Sequence, residues 1–232
     1  GAFVFSLTTM LLGILVGGSL ICANPENRGV ILPYNHLLMN PSERVAMEEE
    51  VEIDYLRGKK ARGAAWYIRN NTKVGITTLA LGATYGAGTF LALLFNGILL
   101  GGVILDYIMA GETVFLVGWL LPHGSVEITA ILIAGQGGFV LGGTLLGRRQ
   151  HMRIRDRLRA ILPDLVTLIS GTALLLVWAG IIEAFLSQYH EPALPYSLKI
   201  TLGVSQLVLI TLLLAYSGRK KQKSETEREN RA

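Results

Sequence analysis

GWLLPHGSVEITAILIAG, residues 118–135, decides how often this chain crosses an apolar phase. Both arms of the stretch are apolar, yet Pro122, His123, Gly124 and Glu127 fall between them. Proline disfavours helix at the residue before it, which predicts a helix end at Leu121. A restart near Gly124 places Glu127 in a first turn, where a carboxylate meets unpaired N–H groups and the positive end of the helix dipole. Read in this way the stretch is a break between two helices. His123 and Glu127, four residues apart, then face each other across one turn.

The composition makes the apolar phase a bilayer. Of 232 residues 51% are hydrophobic and only 16% charged, against about 25% charged in ordinary soluble domains. From Val74 to Gly147 there is no Lys or Arg, and the acids are Asp106, Glu112 and Glu127 alone. Apolar runs long enough to span a bilayer recur. The predicted fold class is therefore all-α, a polytopic transmembrane helical bundle forming one domain over residues 1–217. The net charge of +4 is no nucleic-acid signal, because the basic residues are clumped. One clump lies within Arg148–Arg159 and another within Arg219–Arg231, as in cytoplasmic flanks that set topology and touch anionic head groups. A single cysteine, Cys22, rules out an intrachain disulfide. Ile21 stands where a lipidation site needs a small residue, so Cys22 reads as a buried structural thiol. The apolar run starts at Ala2 with no charged flank, and residues are expected upstream of it.

Six spans are predicted, at about 2–23, 72–95, 97–121, 124–147, 163–187 and 196–217. Asn96-Gly97 reads as a tight turn, since both residues tolerate positive φ. Residues 97–121 are interrupted at Gly111-Glu112, so they form either a span or a re-entrant hairpin, which would reduce the crossings to five; six is preferred. Gly13 and Gly17, Gly82 and Gly86, Gly138 and Gly142, and Gly143 and Gly147 have the small-xxx-small spacing of close helix pairs. Within the polar loop 24–70, residues 42–62 read as a surface helix capped by Ser42, with Val45, Val51 and Tyr55 on one face. Residues 148–162 read as a basic amphipathic helix lying in the interface, with Arg148, Arg149, Arg153 and Arg155 toward phosphates. Residues 218–232 read as a charged, disordered cytoplasmic tail.

Ionisable residues inside spans are expensive and are functional candidates by default. Here they are Asp106, Glu112, His123, Glu127 and Glu183, with no Lys or Arg expected within reach inside the spans. Three readings of His123 and Glu127 stay open: they satisfy the broken backbone, they line a path for a solute or proton, or they form a metal or catalytic site. The last is disfavoured, because zinc needs three or four protein ligands and His36, His151 and His190 lie outside the apolar runs. There is no HExxH and no GxSxG, and no Gly-rich phosphate loop. Neither cofactor nor metal is expected.

The middle of the chain resembles the stage II sporulation protein M family of integral membrane proteins. The residues that carry the resemblance are IRNNTKVGITTLALGATYGAGTFLALLFNGILLGG (68–102), LPHGSVEITAILIAGQGGFVLG (121–142) and AGIIEAFLS (179–187). The family's residues fall on Asn71, Asn96, His123, Gly124, Glu127, Gly135 and Glu183, and the resemblance implies a shared polar core of Asn71, Asn96, His123, Glu127 and Glu183. Pro122, Gly124, Gly135, Gly138 and Gly142 complete the motif region as break and packing residues. A proline usually follows the Glu-Ala-Phe motif closely, whereas here the next is Pro192. Members commonly carry a cytoplasmic region before the first span. The family's sporulation member is implied to anchor two cell-wall hydrolases. The resemblance therefore implies a non-enzymatic scaffold in the cell membrane, with the lipid bilayer and envelope proteins, such as cell-wall hydrolases, as partners. Its runner-up is a channel or transporter-like permease, since discontinuous helices build solute sites; an intramembrane metalloenzyme comes third. Self-association through glycine-rich faces is left open.

Overall fold

The computed structural model describes residues 1–32, 37–50, 60–147 and 152–229. The described residues are helical, with no strand among them. Helix α1 covers Ala2–Ala23, α2 is the short turn Arg28–Ile31, and α3 is Pro41–Glu50. Then come α4 (Lys60–Ala80), α5 (Ala87–Met109), α6 (Thr113–Leu145), α7 (Ile154–Ile182) and α8 (Tyr196–Glu229).

Among the described residues five helices are long and apolar enough to cross a membrane: α1, α5, α6, α7 with its extension to Ser187, and Tyr196–Tyr216 of α8. The expected six apolar spans are corrected to five. The second, placed at 72–95, is split between two helices. Leu81–Thr84 tighten into a 3₁₀ turn, and Tyr85 and Gly86 then take φ 59° and 88°. The left-handed pair reverses the chain before α5. The remainder of that stretch belongs to α4, whose Arg62, Arg69, Asn70, Asn71 and Lys73 keep it from qualifying as an apolar span.

Both predicted breaks are corrected. Asn96-Gly97 lies inside α5, where Asn96 Nδ2 donates to the Ala92 carbonyl at 2.8 Å and so feeds its amide back into its own helix. Pro122, His123 and Gly124 lie inside an unbroken α6. A proline deprives the Gly118 carbonyl of its helical partner, but in lipid a helix is still the cheapest conformation and neighbours take up freed groups. Gln206 Nε2 of α8 donates to the carbonyl of Pro122 itself at 3.1 Å, and the Tyr196 ring packs against Gly118, where the helix lacks a side chain. The true reversal falls at Gly111-Glu112. Gly111 takes φ 84°, its N–H donates to the Ile108 carbonyl, and the Glu112 N–H donates to the Tyr107 carbonyl at 2.9 Å. That is the Schellman pattern of a helix end. Residues 97–121 are therefore the end of α5 and the start of α6, and the re-entrant alternative falls.

Other boundaries shift. Asn40 rather than Ser42 starts α3: its Oδ1 accepts the Ser42 N–H at 2.9 Å, with Pro41 in the first turn. Val45 is buried as expected, while Val51 and Tyr55 lie outside the described residues. From Ile154 onward the basic helix expected at 148–162 continues into the fifth span as one helix, α7, which runs through Pro163. Arg153 and Arg155 are exposed at its start beside exposed Met152 and Ile154; Arg148 and Arg149 lie outside the described residues. The tail expected to be disordered continues α8 as helix to Glu229. After Gly218 it contains no glycine or proline and is rich in Lys, Arg, Gln and Glu, all good helix formers. Cys22 is exposed rather than buried, because Ile21 beside it is the residue turned inward.

Glycine contacts set the bundle's geometry. On α1, a Cβ at Gly13 would lie 2.3 Å from the Leu94 carbonyl oxygen, and one at Gly17 2.0 Å from that of Ile98. On α5, Gly97 and Gly101 meet the Met10 and Ile14 carbonyls equally closely. The two helices thus run parallel, backbone on backbone, which is how helices associate where lipid removes the hydrophobic drive. Gly82 meets Gly138, and Gly142 meets Gly86, so a second pair of glycines seats the 3₁₀ turn on α6. Gly135 takes the Leu93 side chain. One end of the bundle holds this turn, the C-terminal end of α6 and the start of α7, where Arg157 donates to the Thr144 carbonyl at 2.9 Å. We call it the basic end. At the other end residues 24–32 and 37–50 fold over the helices. Arg28 pairs with Asp106 at 2.6 Å and Ser42 Oγ donates to the Ala110 carbonyl at 3.4 Å.

Candidate functional site

Between the helices, toward the end covered by α3, lies a cavity of about 530 Å³. Asn71 of α4, Asn96 of α5, His123 and Glu127 of α6, and Glu183 just beyond α7 all line it. Sequence spacing related only His123 to Glu127; the fold brings all five to one space. Met10, Val74, Ile128 and Ile131 supply apolar wall, and Trp66, Tyr67 and Trp119 supply aromatic wall. Glu183 begins a single π-helical turn, Glu183–Ser187. Such turns insert a residue into the helical register and re-aim side chains, often at functional sites.

The expected pairing of His123 with Glu127 is replaced. His123 Nδ1 lies 2.9 Å from Ser187 Oγ, the last residue of the π turn. Lys199 of α8, fully buried, donates to the Ser187 carbonyl at 3.2 Å and to the Tyr189 carbonyl at 2.6 Å. His123 therefore holds the end of α7 against α6 and leaves Glu127 to the cavity. Asn71 Oδ1 accepts from Asn70 Nδ2 at 3.4 Å, and its buried Nδ2 stands toward the Glu183 carboxyl without closing a hydrogen bond of ordinary geometry. Gly124 lines the same wall, and Gly138 and Gly142 sit deeper, in the packed layer that closes the cavity toward the basic end.

Two basic residues correct the expectation that none reaches the polar residues inside the spans. Lys199 is one. Arg28 is the other, and it neutralises Asp106, removing that acid from the functional candidates. Glu112 ends up at the α5–α6 turn rather than inside a span.

The mouth is covered by a network that sequence reasoning missed. Arg44 Nε donates to Glu48 at 2.7 Å, its Nη1 donates to the Tyr107 hydroxyl at 2.7 Å, and its guanidinium lies 4.6 Å above the Trp119 ring. His190 Nε2 meets the other Glu48 oxygen at 3.1 Å while its ring stacks on Phe115. The Tyr196 hydroxyl donates to Glu49 at 2.7 Å. The signal available in the sequence was the spacing of Tyr107, Phe115 and Trp119, aromatic residues near helix ends that suit an amphipathic belt. Nothing local said which loop they would hold.

Burial of Glu48 would raise its carboxyl pKa, but the hydrogen bond from His190 and the Arg44 guanidinium outweigh it and hold the value below the ordinary 4.5. A carboxylate with a depressed folded-state value stabilises above its unfolded value and loses that contribution as pH falls through the folded one. Docking of α3 is therefore expected to be constant from neutral pH to about 4.5 and to weaken below it. Hydrogen exchange of the Pro41–Glu50 amides at pH 7 and at lower pH, corrected for intrinsic rates, checks this. Corrected protection that is unchanged below pH 4 would refute it.

The matching family model is stage II sporulation protein M, over residues 2–188. An uncharacterized protein of Methanocaldococcus jannaschii is 32% identical over 121 residues, which cover 52% of this chain and 68% of that protein. No solved structure matches the chain significantly. Among the described residues no group of three or more His, Cys, Asp or Glu side chains is placed to hold a metal ion, so the metalloenzyme reading gains no support.

Proposed function

We propose that this chain, which belongs to the stage II sporulation protein M family, is a multi-pass membrane protein that binds a small solute in the cavity of Glu127 and Glu183, in the manner of a permease. The observation that carries the reading is that Asn71, Asn96, His123, Glu127 and Glu183 line one space of about 530 Å³. A purely structural polar cluster in a bilayer closes its hydrogen bonds, because open ones are costly there. This one leaves two carboxyls on the wall of an open cavity. With the basic end facing the cytoplasm, as the arginines of α7 and the tail favour, the mouth and α3 face outward. The glycine-packed layer then closes the inner half.

Single cysteines on a Cys22→Ala background test the reading. Val74→Cys and Ile128→Cys, on the cavity wall, are expected to react with a membrane-impermeant thiol reagent added from the mouth side. Leu209→Cys, on the exposed face of α8, is expected to stay unreactive in lipid. Equal protection of all three would mean a dry cavity and end the proposal.

A scaffold role rests on the family resemblance, and α8 offers it a surface, with Leu198, Leu202, Leu209 and Leu213 exposed along one helix. That reading expects co-purifying envelope proteins whose binding survives substitution of Glu127 and Glu183.

A further inference from the structure

The cavity's charge and size narrow the solute, on the premise that the cavity is the binding site. A space of about 530 Å³ fits a small organic molecule and is far larger than a bare ion needs. Glu127 and Glu183 come from different helices and stand close enough for their charges to act on each other. Among the described residues the one Lys or Arg lining the cavity is Arg44, and it is engaged by Glu48 and Tyr107 at the mouth. The two lining histidines are engaged as well, His123 by Ser187 and His190 by Glu48. Among the described residues the acid pair therefore has no counter-charge, so its two negative charges coexist only when a proton or a bound cation offsets one of them.

A second feature faces the same space. Asn71 is 5% exposed, and its Nδ2 stands beside the Glu183 carboxyl without closing a hydrogen bond of ordinary geometry. A buried donor left open costs free energy unless something accepts from it. An acceptor on the solute, a hydroxyl or carbonyl oxygen, would satisfy it. Trp66 and Tyr67 add aromatic faces that attract a cation and repel an anion.

We propose that the cavity takes a small organic cation, an aliphatic amine that also carries a hydrogen-bond acceptor, with the ammonium between Glu127 and Glu183 and the acceptor on Asn71 Nδ2.

Matched probes test this with the full chain in lipid nanodiscs. 4-Amino-1-butanol, 1,4-butanediol and 4-hydroxybutanoate keep one hydroxyl and differ at the other end as cation, neutral group and anion. Titration calorimetry is expected to show saturable binding of the amine, about tenfold or more tighter than the diol, from its charge-assisted hydrogen bonds. Binding of the anion is expected to be absent. Glu127→Gln and Glu183→Gln are each expected to remove about that factor. n-Butylamine, which lacks the acceptor, should bind a few-fold more weakly than the amino alcohol, and Asn71→Leu should abolish that difference. Diol or hydroxybutanoate binding as well as the amine, or amine binding unchanged in both Gln variants, would overturn the proposal. The comparison among probes on the unmodified protein decides the charge preference even if a variant fails to fold. If no probe binds while Val74→Cys and Ile128→Cys still react, the cation assignment is wrong and the wet cavity stands. If those cysteines are protected, the solute-binding reading itself falls.

Discussion

Gly17→Ala is expected to destabilise the protein by about 3 kcal/mol, at the upper end of what one added methyl costs in a packed interior. The added Cβ would lie 2.0 Å from the Ile98 carbonyl oxygen and 2.8 Å from the Ile98 Cα, both of them backbone atoms. A side chain can rotate away from an intruder, but a helix backbone can only translate. Separating α1 from α5 would loosen all four close approaches, at Gly13, Gly17, Gly97 and Gly101 together. In lipid the lost contacts are not replaced by a hydrophobic force, since the tails are as apolar as the helices. Gly101→Ala, whose Cβ would lie 2.0 Å from the Ile14 carbonyl oxygen, should cost about as much. Because one separation relieves both, the double variant should cost clearly less than the sum. Gly171→Ala is the control. No atom outside its own helix lies within 4 Å of a Cβ there, so the change should be neutral or stabilise by up to about 1 kcal/mol. Thermal unfolding in detergent checks all four variants. A Gly17→Ala midpoint within roughly a degree of the Gly171→Ala midpoint would show that the glycine contact does not set the bundle.

The bundle itself was legible because bilayer-spanning segments announce themselves by length and by the absence of charge, and α1, α7 and α8 fall close to where hydropathy puts them. The breaks were misread because local rules were applied where the environment overrides them. Pro122 ends a helix in water, where freed backbone groups find solvent. In lipid the same proline stays in α6, with Gln206 and Tyr196 closing around it. Asn96-Gly97 makes a good turn in isolation, but Gly97 is needed flat against Met10, and that requirement belongs to another helix. The reversals on either side of α5, at Tyr85-Gly86 and Gly111-Glu112, use positive φ as a turn should. The second was visible in the sequence as an interruption; the first was hidden because Gly82 and Gly86 serve packing and turning together. For the site, the sequence named residues that the fold gathers, but not their partners. His123 bonds Ser187, and Asp106 bonds Arg28, across 64 and 78 residues respectively. No periodicity reaches that far.

Arg44→Ala should release α3 from the bundle without unfolding it. Arg44 is the joint of the mouth: one guanidinium spans Glu48 and the Tyr107 hydroxyl and covers Trp119. Its side chain is 8% exposed and that of Glu48 30%, so the pair is shielded more than an ordinary surface bridge. Truncation leaves the Tyr107 hydroxyl without its donor and Glu48 with His190 alone. Removing one member of a buried pair costs about 3–5 kcal/mol, and the partial exposure of Glu48 puts this case at or below the lower bound. The energy is local, because α3 is a short surface helix whose other contacts are few, chiefly Val45 in the core and Ser42 on the Ala110 carbonyl. Hydrogen exchange across Pro41–Glu50 is therefore expected to accelerate by about a hundredfold, the factor that roughly 3 kcal/mol implies, while exchange in α5 and α6 stays unchanged. Arg44→Lys keeps the charge but cannot donate from two fixed positions at once or lie flat on the indole, and should recover only a minority of the protection. With α3 released the cavity loses its cover, so Ile128→Cys should also react faster in the Arg44→Ala background. Faster exchange without faster labelling would place the barrier to entry below α3, among the helices themselves.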